Sequence, residues 1–158
     1  MRPPNRIDEG TARRLKREIQ AIARQSRKPT VPAAAPMPRI WIIYAHTDEA
    51  VAGGLVERLR ADSIAASWDK DLLPGVDYDM RIEQNIRECD SAVVIWSEAA
   101  RRSRYVLDEA TLAYELERLV PVHVAGFDPT TLSMRFRRLQ ATSVTEYEKL
   151  LTTLKGLA

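Results

Sequence analysis

Three short blocks hold most of the side chains that could do chemistry. The first is Tyr44-Ala45-His46-Thr47-Asp48. The second is Trp68-Asp69-Lys70-Asp71-Leu72-Leu73-Pro74-Gly75-Val76-Asp77-Tyr78. The third opens at Ser97 and continues as Ser103-Arg104-Tyr105-Val106-Leu107-Asp108-Glu109. Together they offer carboxylates, hydroxyls, aromatic faces and one imidazole, with Pro74-Gly75 as a turn signal inside the second block. Several familiar chemistries are missing. The six glycines form neither GxGxxG nor a Walker A loop, which excludes the usual dinucleotide and phosphate cradles. His46 and His123 stand far apart and Cys89 is the one cysteine, so no metal site is expected. Ser97 lacks a GxSxG elbow. Paired acids, as a phosphoacceptor site would need, do not follow Ile43-Tyr44-Ala45.

Each of these residues has a structural use as well. Glu109 shares its stretch with Asp108, Glu115 and Glu117 and could be one more exposed acid. Trp68 and Tyr105 suit core or rim packing, Ser97 suits a cap, and Asp69 and Asp71 suit turns. Cys89 reads as a small buried hydrophobe.

The elements that must position the blocks follow from periodicity. Ile40 to Tyr44 is an apolar run without polar alternation, as in a parallel strand covered on both faces. Asp48 is placed to cap a helix with Val51, Leu55 and Leu59 on one face. Ser63 to Trp68 is expected as a second strand, and Asp69 to Asp77 as a loop. Tyr78, Ile82 and Ile86 mark the next helix face, and Ser91 to Trp96 the clearest strand. Arg104 to Leu119 is expected to be helical, burying Val106, Ala110, Ala113 and Leu116. Val120 to Ala125 is a fourth strand, Leu139 to Val144 holds a weaker fifth, and Tyr147, Leu150, Leu151 and Leu154 form a closing helix. Alternation of this kind predicts an α/β fold: a flavodoxin-like, doubly wound, five-stranded parallel sheet with helices on both faces. In such sheets ligands bind outside the C-terminal strand ends, which directs attention to the segments after Tyr44, Trp68 and Trp96.

Charge divides the 158 residues. Residues 1–38 hold nine Lys/Arg and three acids, a net +6, and the remainder holds 15 and 19, a net −4. The basic arm could form a helix over 8–27, with Leu15, Ile19 and Ile22 at helical spacing. Four prolines in residues 28–38 then make a stiff linker before a domain at 39–158. The arm, rather than the domain, sets the pI near 8.8, so a nucleic-acid partner is not expected. No apolar run is long enough to span a bilayer, which leaves no membrane partner expected. The cysteine usage and the absence of a signal-peptide pattern predict a cytoplasmic location.

The order and spacing of the three blocks resemble the Toll/interleukin-1 receptor (TIR) domain family over about residues 39–157. The first is similar to the family's S-Y-x-x-x-D box, with Ile43 in the usual serine position. The second resembles the BB loop with its Pro-Gly. The third resembles S-x-x-x-x-x-S-x-W-x-x-x-E: Ser97, Ser103 and Glu109 fit, and Tyr105 replaces the tryptophan. Val120-Pro121-Val122 is similar to the family's fourth strand. The family holds adaptors that only bind other TIR domains and enzymes that cleave NAD at the nicotinamide–ribose bond. The resemblance implies an NAD glycohydrolase or cyclase, a bacterial defence or virulence effector, with Glu109 as its catalytic carboxylate. It implies substrate contacts from Tyr44, Ala45, His46, Trp68, Leu73, Gly75, Ser97 and Tyr105. NAD would be the substrate and no cofactor or metal is implied. Self-association through TIR–TIR contacts is the implied partnership, and a non-catalytic signalling module is the alternative.

Overall fold

The computed structural model describes residues 37–157 and, upstream of them, Arg13, Arg14, Lys16 and Arg17. Those four are helical and exposed. The remainder of the helix expected over 8–27, and the linker as far as Pro36, lie outside the described residues. The chain divides into two units, Met1–Pro36 and Met37–Ala158. The second carries the sheet and all three blocks.

Its elements run β1 (Arg39–Ile43), α1 (Glu49–Ala61), β2 (Ala65–Ser67), α2 (Tyr78–Glu88), β3 (Ser91–Trp96), α3 (Glu98–Arg102), α4 (Arg104–Glu115), β4 (Leu119–His123), α5 (Met134–Arg137), β5 (Thr142–Ser143) and α6 (Tyr147–Leu157). All strand pairs are parallel, in the order β2-β1-β3-β4-β5. The direction of winding reverses between β1 and β3, the flavodoxin-like arrangement expected from the alternation of apolar runs.

Successive strand residues face opposite sides, and the core accordingly splits in two. Trp41, Ile43, Ala92, Val94 and Trp96 meet Ile82 and Ile86 of α2, Val106, Ala110 and Ala113 of α4, and Phe136 of α5. Ile40, Ile42, Val93, Ile95, Val120 and Val122 meet Ala52, Leu55, Val56 and Leu59 of α1 and Leu150 and Leu154 of α6. Every residue of β3 is buried. That explains an apolar run without alternation: both faces of the central strand are covered.

Some elements differ from expectation. The buried stripe of α1 runs through Ala52 and Val56, leaving Val51 exposed. Asp48 stands at the α1 N-cap position without capping it. A single-turn 3-10 segment, His46–Asp48, enters that helix, and the Asp48 carboxylate instead accepts a hydrogen bond from Ser97 Oγ at 2.5 Å. The helix expected to reach Leu119 ends at Glu115. Glu117 takes φ +58, its N–H donates to the Tyr114 carbonyl at 3.0 Å, and the Arg118 N–H donates to the Ala113 carbonyl at 2.9 Å. This is a Schellman closure with glutamate in the position glycine usually holds, so the sequence carries no stop signal there. Leu116 is only partly buried, and Leu119 opens β4. The turns α3 and α5 are too short to leave a periodic signature.

Candidate functional site

Four segments converge at the C-terminal ends of β1 and β3, on the face covered by α2 and α4. They enclose a cavity of about 300 Å³ lined by Tyr44, Ala45, His46, Asp69, Tyr78, Asp79, Ile82, Ser103, Tyr105, Val106 and Glu109. A shallower groove of about 250 Å³ continues between α2 and α4. It shares Asp79, Ile82, Tyr105 and Glu109 and adds Glu83, Ile86, Asp108 and Leu112. The pair sits at the strand-order reversal, where sheets of this kind bind ligands.

Glu109 owes its place to helix geometry. Val106, Ala110 and Ala113 anchor α4 to the sheet, and Glu109 sits at the edge of that stripe, partly buried and facing the cavity. Among the described residues, no hydrogen bond or ion pair ends on its carboxylate. Burial, and then the charges of Asp69, Asp79 and Asp108, push the group up to about 7. Tyr105 lies one turn back on the same face and is 75% exposed, so most of its ring is free at the cavity rim.

Asp69 opens a 3-10 turn, Asp69–Asp71, directly after Trp68. Its carboxylate accepts the hydroxyls of Tyr44 and, at 2.8 Å, Tyr78. The same turn is held from outside: the Trp68 N–H donates to Asp71 at 3.1 Å, Arg60 pairs with Asp71 at 2.9 Å, and Lys70 pairs with Glu49 at 3.1 Å. The charged lining of the cavity is therefore acidic, with His46 as its one basic side chain and neither Lys nor Arg among the lining residues.

The structure brings Tyr44, Ala45, His46, Tyr105 and Glu109 together around this cavity. The other expected contacts stand elsewhere. Trp68 packs behind Tyr44, ring centroids 5.6 Å apart, and its ring edge lies so near Gly53 that a Cβ there would sit 3.1 Å from it. Leu73 is 74% exposed and lines a different hollow with Trp41, Leu72 and Val76. Gly75 takes φ +85 after Pro74, the left-handed position of a tight turn. Ser97, 5% exposed, accepts from the Ala100 N–H at 3.0 Å and caps α3. Ser103 caps α4 by accepting from the Val106 N–H. Both serines of the third block thus do helix-capping work.

Asp69, Tyr78 and Asp79 also line the cavity, and spacing alone does not assign them to it. Periodicity places Tyr78 on the buried face of α2, yet it occupies that helix's first position and is half exposed. The available signal is Asp77, which caps α2 through the Met80 N–H at 3.1 Å and so places residues 78 and 79 at the helix mouth.

No curated protein sequence matches the chain. Among solved structures, the TIR domain of the Toll-related receptor TRR-2 from Hydra magnipapillata superposes with TM-score 0.63 at 17% identity, over 73% of this chain and 97% of that one. A TIR-STING receptor from C. gigas, solved with 2',3'-cGAMP, gives 0.67 at 17% identity, over 80% and 42%. The TIR domains of the activated Roq1 resistosome give 0.54 at 22% identity, over 76% and 81%. These likenesses establish the fold. A family model described as the TIR domain matches residues 40–154, a span that contains all three blocks, the cavity and all of the sheet but Arg39, and the chain belongs to the TIR domain family.

Proposed function

We propose that the chain cleaves NAD at the nicotinamide–ribose bond, by hydrolysis or cyclisation, with Glu109 as the catalytic group. The observation that carries this reading is a partly buried carboxylate, unpaired among the described residues, in a cavity without a Lys or Arg among its lining residues. The reacting end of NAD is a pyridinium cation joined to ribose. Nicotinamide leaves as a neutral base, so no acid has to protonate it, while positive charge develops on the ribose as in other glycosyl transfers. A partly buried carboxylate beside the ribose stabilises that charge. Binding of a cation also favours the ionised form of Glu109, the form the reaction needs. Tyr105 offers an aromatic face at the rim and His46 a polar contact for ribose or phosphate. A cavity of about 300 Å³ lies at the small end of ligand pockets. It suits the nicotinamide–ribose end, with the adenosine half in the adjoining groove or against a second subunit.

The test is incubation of pure protein with NAD, NADP and nucleosides, followed by detection of free nicotinamide or base. Release of nicotinamide that disappears in Glu109→Gln supports the reading. Release of another base would redirect it to a different N-glycoside. A non-catalytic association module is the second reading, favoured by the exposed Leu73 beside the hollow lined by Trp41, Leu72 and Val76. No base release from any substrate would favour it.

A further inference from the structure

One carboxylate ties three elements together at the mouth of the cavity. Tyr44 follows β1, Tyr78 begins α2 and Asp69 follows β2, and both phenols donate to Asp69. Burial and the bond to Asp69 raise both hydroxyls, Tyr78 to about 12 and Tyr44 further. Near neutral pH both phenols remain protonated and act as the donors. The cations nearest in sequence are engaged elsewhere, Lys70 with Glu49 and, across the turn, Arg60 with Asp71. Asp69 is therefore met by neutral donors, and its charge stays in the cavity. The titratable groups around Glu109 are Asp69 from this turn, Tyr78, Asp79 and Glu83 of α2, Tyr105 and Asp108 of α4, and Tyr44 and His46 after β1.

We propose that Asp69 is a positioning residue of the site: it fixes Tyr44 and Tyr78 as the cavity wall and keeps a second negative charge beside Glu109, so that the cavity selects a cationic ring over a neutral one of the same shape. The inference rests on the proposed reaction for its meaning, but not for its test. The Tyr–Asp–Tyr clamp spans three elements, so loss of either phenol releases one of them. Asp69→Asn removes the charge and leaves one acceptor oxygen where two phenols now donate to two.

The decisive probe is a pair of small molecules, the 1-methylnicotinamide cation and neutral nicotinamide, titrated into the full chain. The readout is NMR shifts of 13C-labelled glutamate carboxyls, with Glu109 assigned by its loss in Glu109→Gln. In the unsubstituted protein the cation is expected to bind several-fold more tightly than the neutral ring. In Asp69→Asn that preference should fall to within about twofold, and the Glu109 titration should move down by roughly half a unit or more, as expected when a nearby like charge is removed. A folded Asp69→Asn protein that keeps both the preference and the titration overturns the proposal. Tyr78→Phe removes one exposed hydroxyl and guards against misfolding of the first variant. It should weaken cation binding several-fold, and unchanged binding would equally overturn the proposal. If selectivity depends on Asp69 while NAD is not cleaved, the assignment of the reaction falls and the role of Asp69 stands.

Discussion

At the residue scale, the setting of Glu109 costs stability once the carboxyl ionises. Below about pH 4.5 the group is protonated in both the folded and the unfolded chain. Between about 4.5 and 7 the unfolded chain releases the proton while the folded protein retains it, so stability falls as pH rises through that window. Above 7 the cost is complete. Glu109→Gln should therefore be more stable than the parent at pH 8, by roughly 2–3 kcal/mol, or on the order of 10 °C in melting temperature. It should match the parent at pH 4. Melting curves at the two pH values decide this, and a difference independent of pH would mean that the carboxylate is not held in an unfavourable setting. The same substitution should reduce NAD cleavage by roughly a hundredfold or more. In the unsubstituted protein, cleavage should rise with pH through about 7 as the carboxylate ionises. A flat pH–rate profile across 6 to 8 would assign the reaction to another group.

At the element scale, the loop after β2 and the caps after β3 set the shape of the site. A Cβ at Gly75 meets no atom within 4 Å, so Gly75→Ala carries only the backbone strain of φ +85, about 1 kcal/mol. Gly75→Pro cannot adopt that φ and must rebuild the turn. It is expected to lower cleavage at least tenfold while the circular dichroism spectrum persists, because no fully buried residue of either core cluster lies in the loop. Turnover and oligomer distribution equal to the parent's would reject a role for this loop. Ser97→Ala removes the α3 cap and the hydroxyl bound to Asp48 together. A loss of about 1–2 kcal/mol in urea unfolding is expected, with residual cleavage retained. Complete loss of cleavage in a folded Ser97→Ala protein would instead make Ser97 a substrate contact. Much at this scale is legible in the sequence. α2 and α6 follow from apolar spacing, because each buries one stripe, and β3 follows from an unbroken apolar run, because both of its faces are buried. The end of α4 is not, because Glu117 adopts a left-handed conformation that its type does not announce.

At the scale of the whole molecule, we propose that activity depends on association between copies. The cavity and groove leave room for a second subunit to cover the adenosine half of NAD. The basic arm, net +6 against a body of −4, would assist by long-range attraction. Specific activity should rise with protein concentration. The contribution of the arm should fade at high salt, where exposed charges are screened within a few ångströms. Comparing the full chain with one beginning at Pro38, across concentration and at two salt levels, separates the two effects. Flat specific activity would reject dependence on association. Concentration dependence shared equally by both chains would keep association and discard the arm. Among the described residues no helix is long and apolar enough to cross a membrane.

The sequence by itself determined the sheet, its parallel character and the end of it at which the cavity lies. Those properties follow from local periodicity and from which runs lack polar alternation, and neighbouring residues are enough to reveal them. Glu109, Tyr105, His46 and Tyr44 were likewise within reach, as members of blocks that the strand ends bring together. Only the tertiary structure decided how the three blocks divide their work. Ser97 and Ser103 became caps, Trp68 became a support behind Tyr44, and Asp69 became the acceptor of two phenols separated from it by 25 and 9 residues. A side chain's partner depends on which elements pack against it. Asp69 shows no unusual spacing in the chain, and its role arises only where β1, β2 and α2 meet.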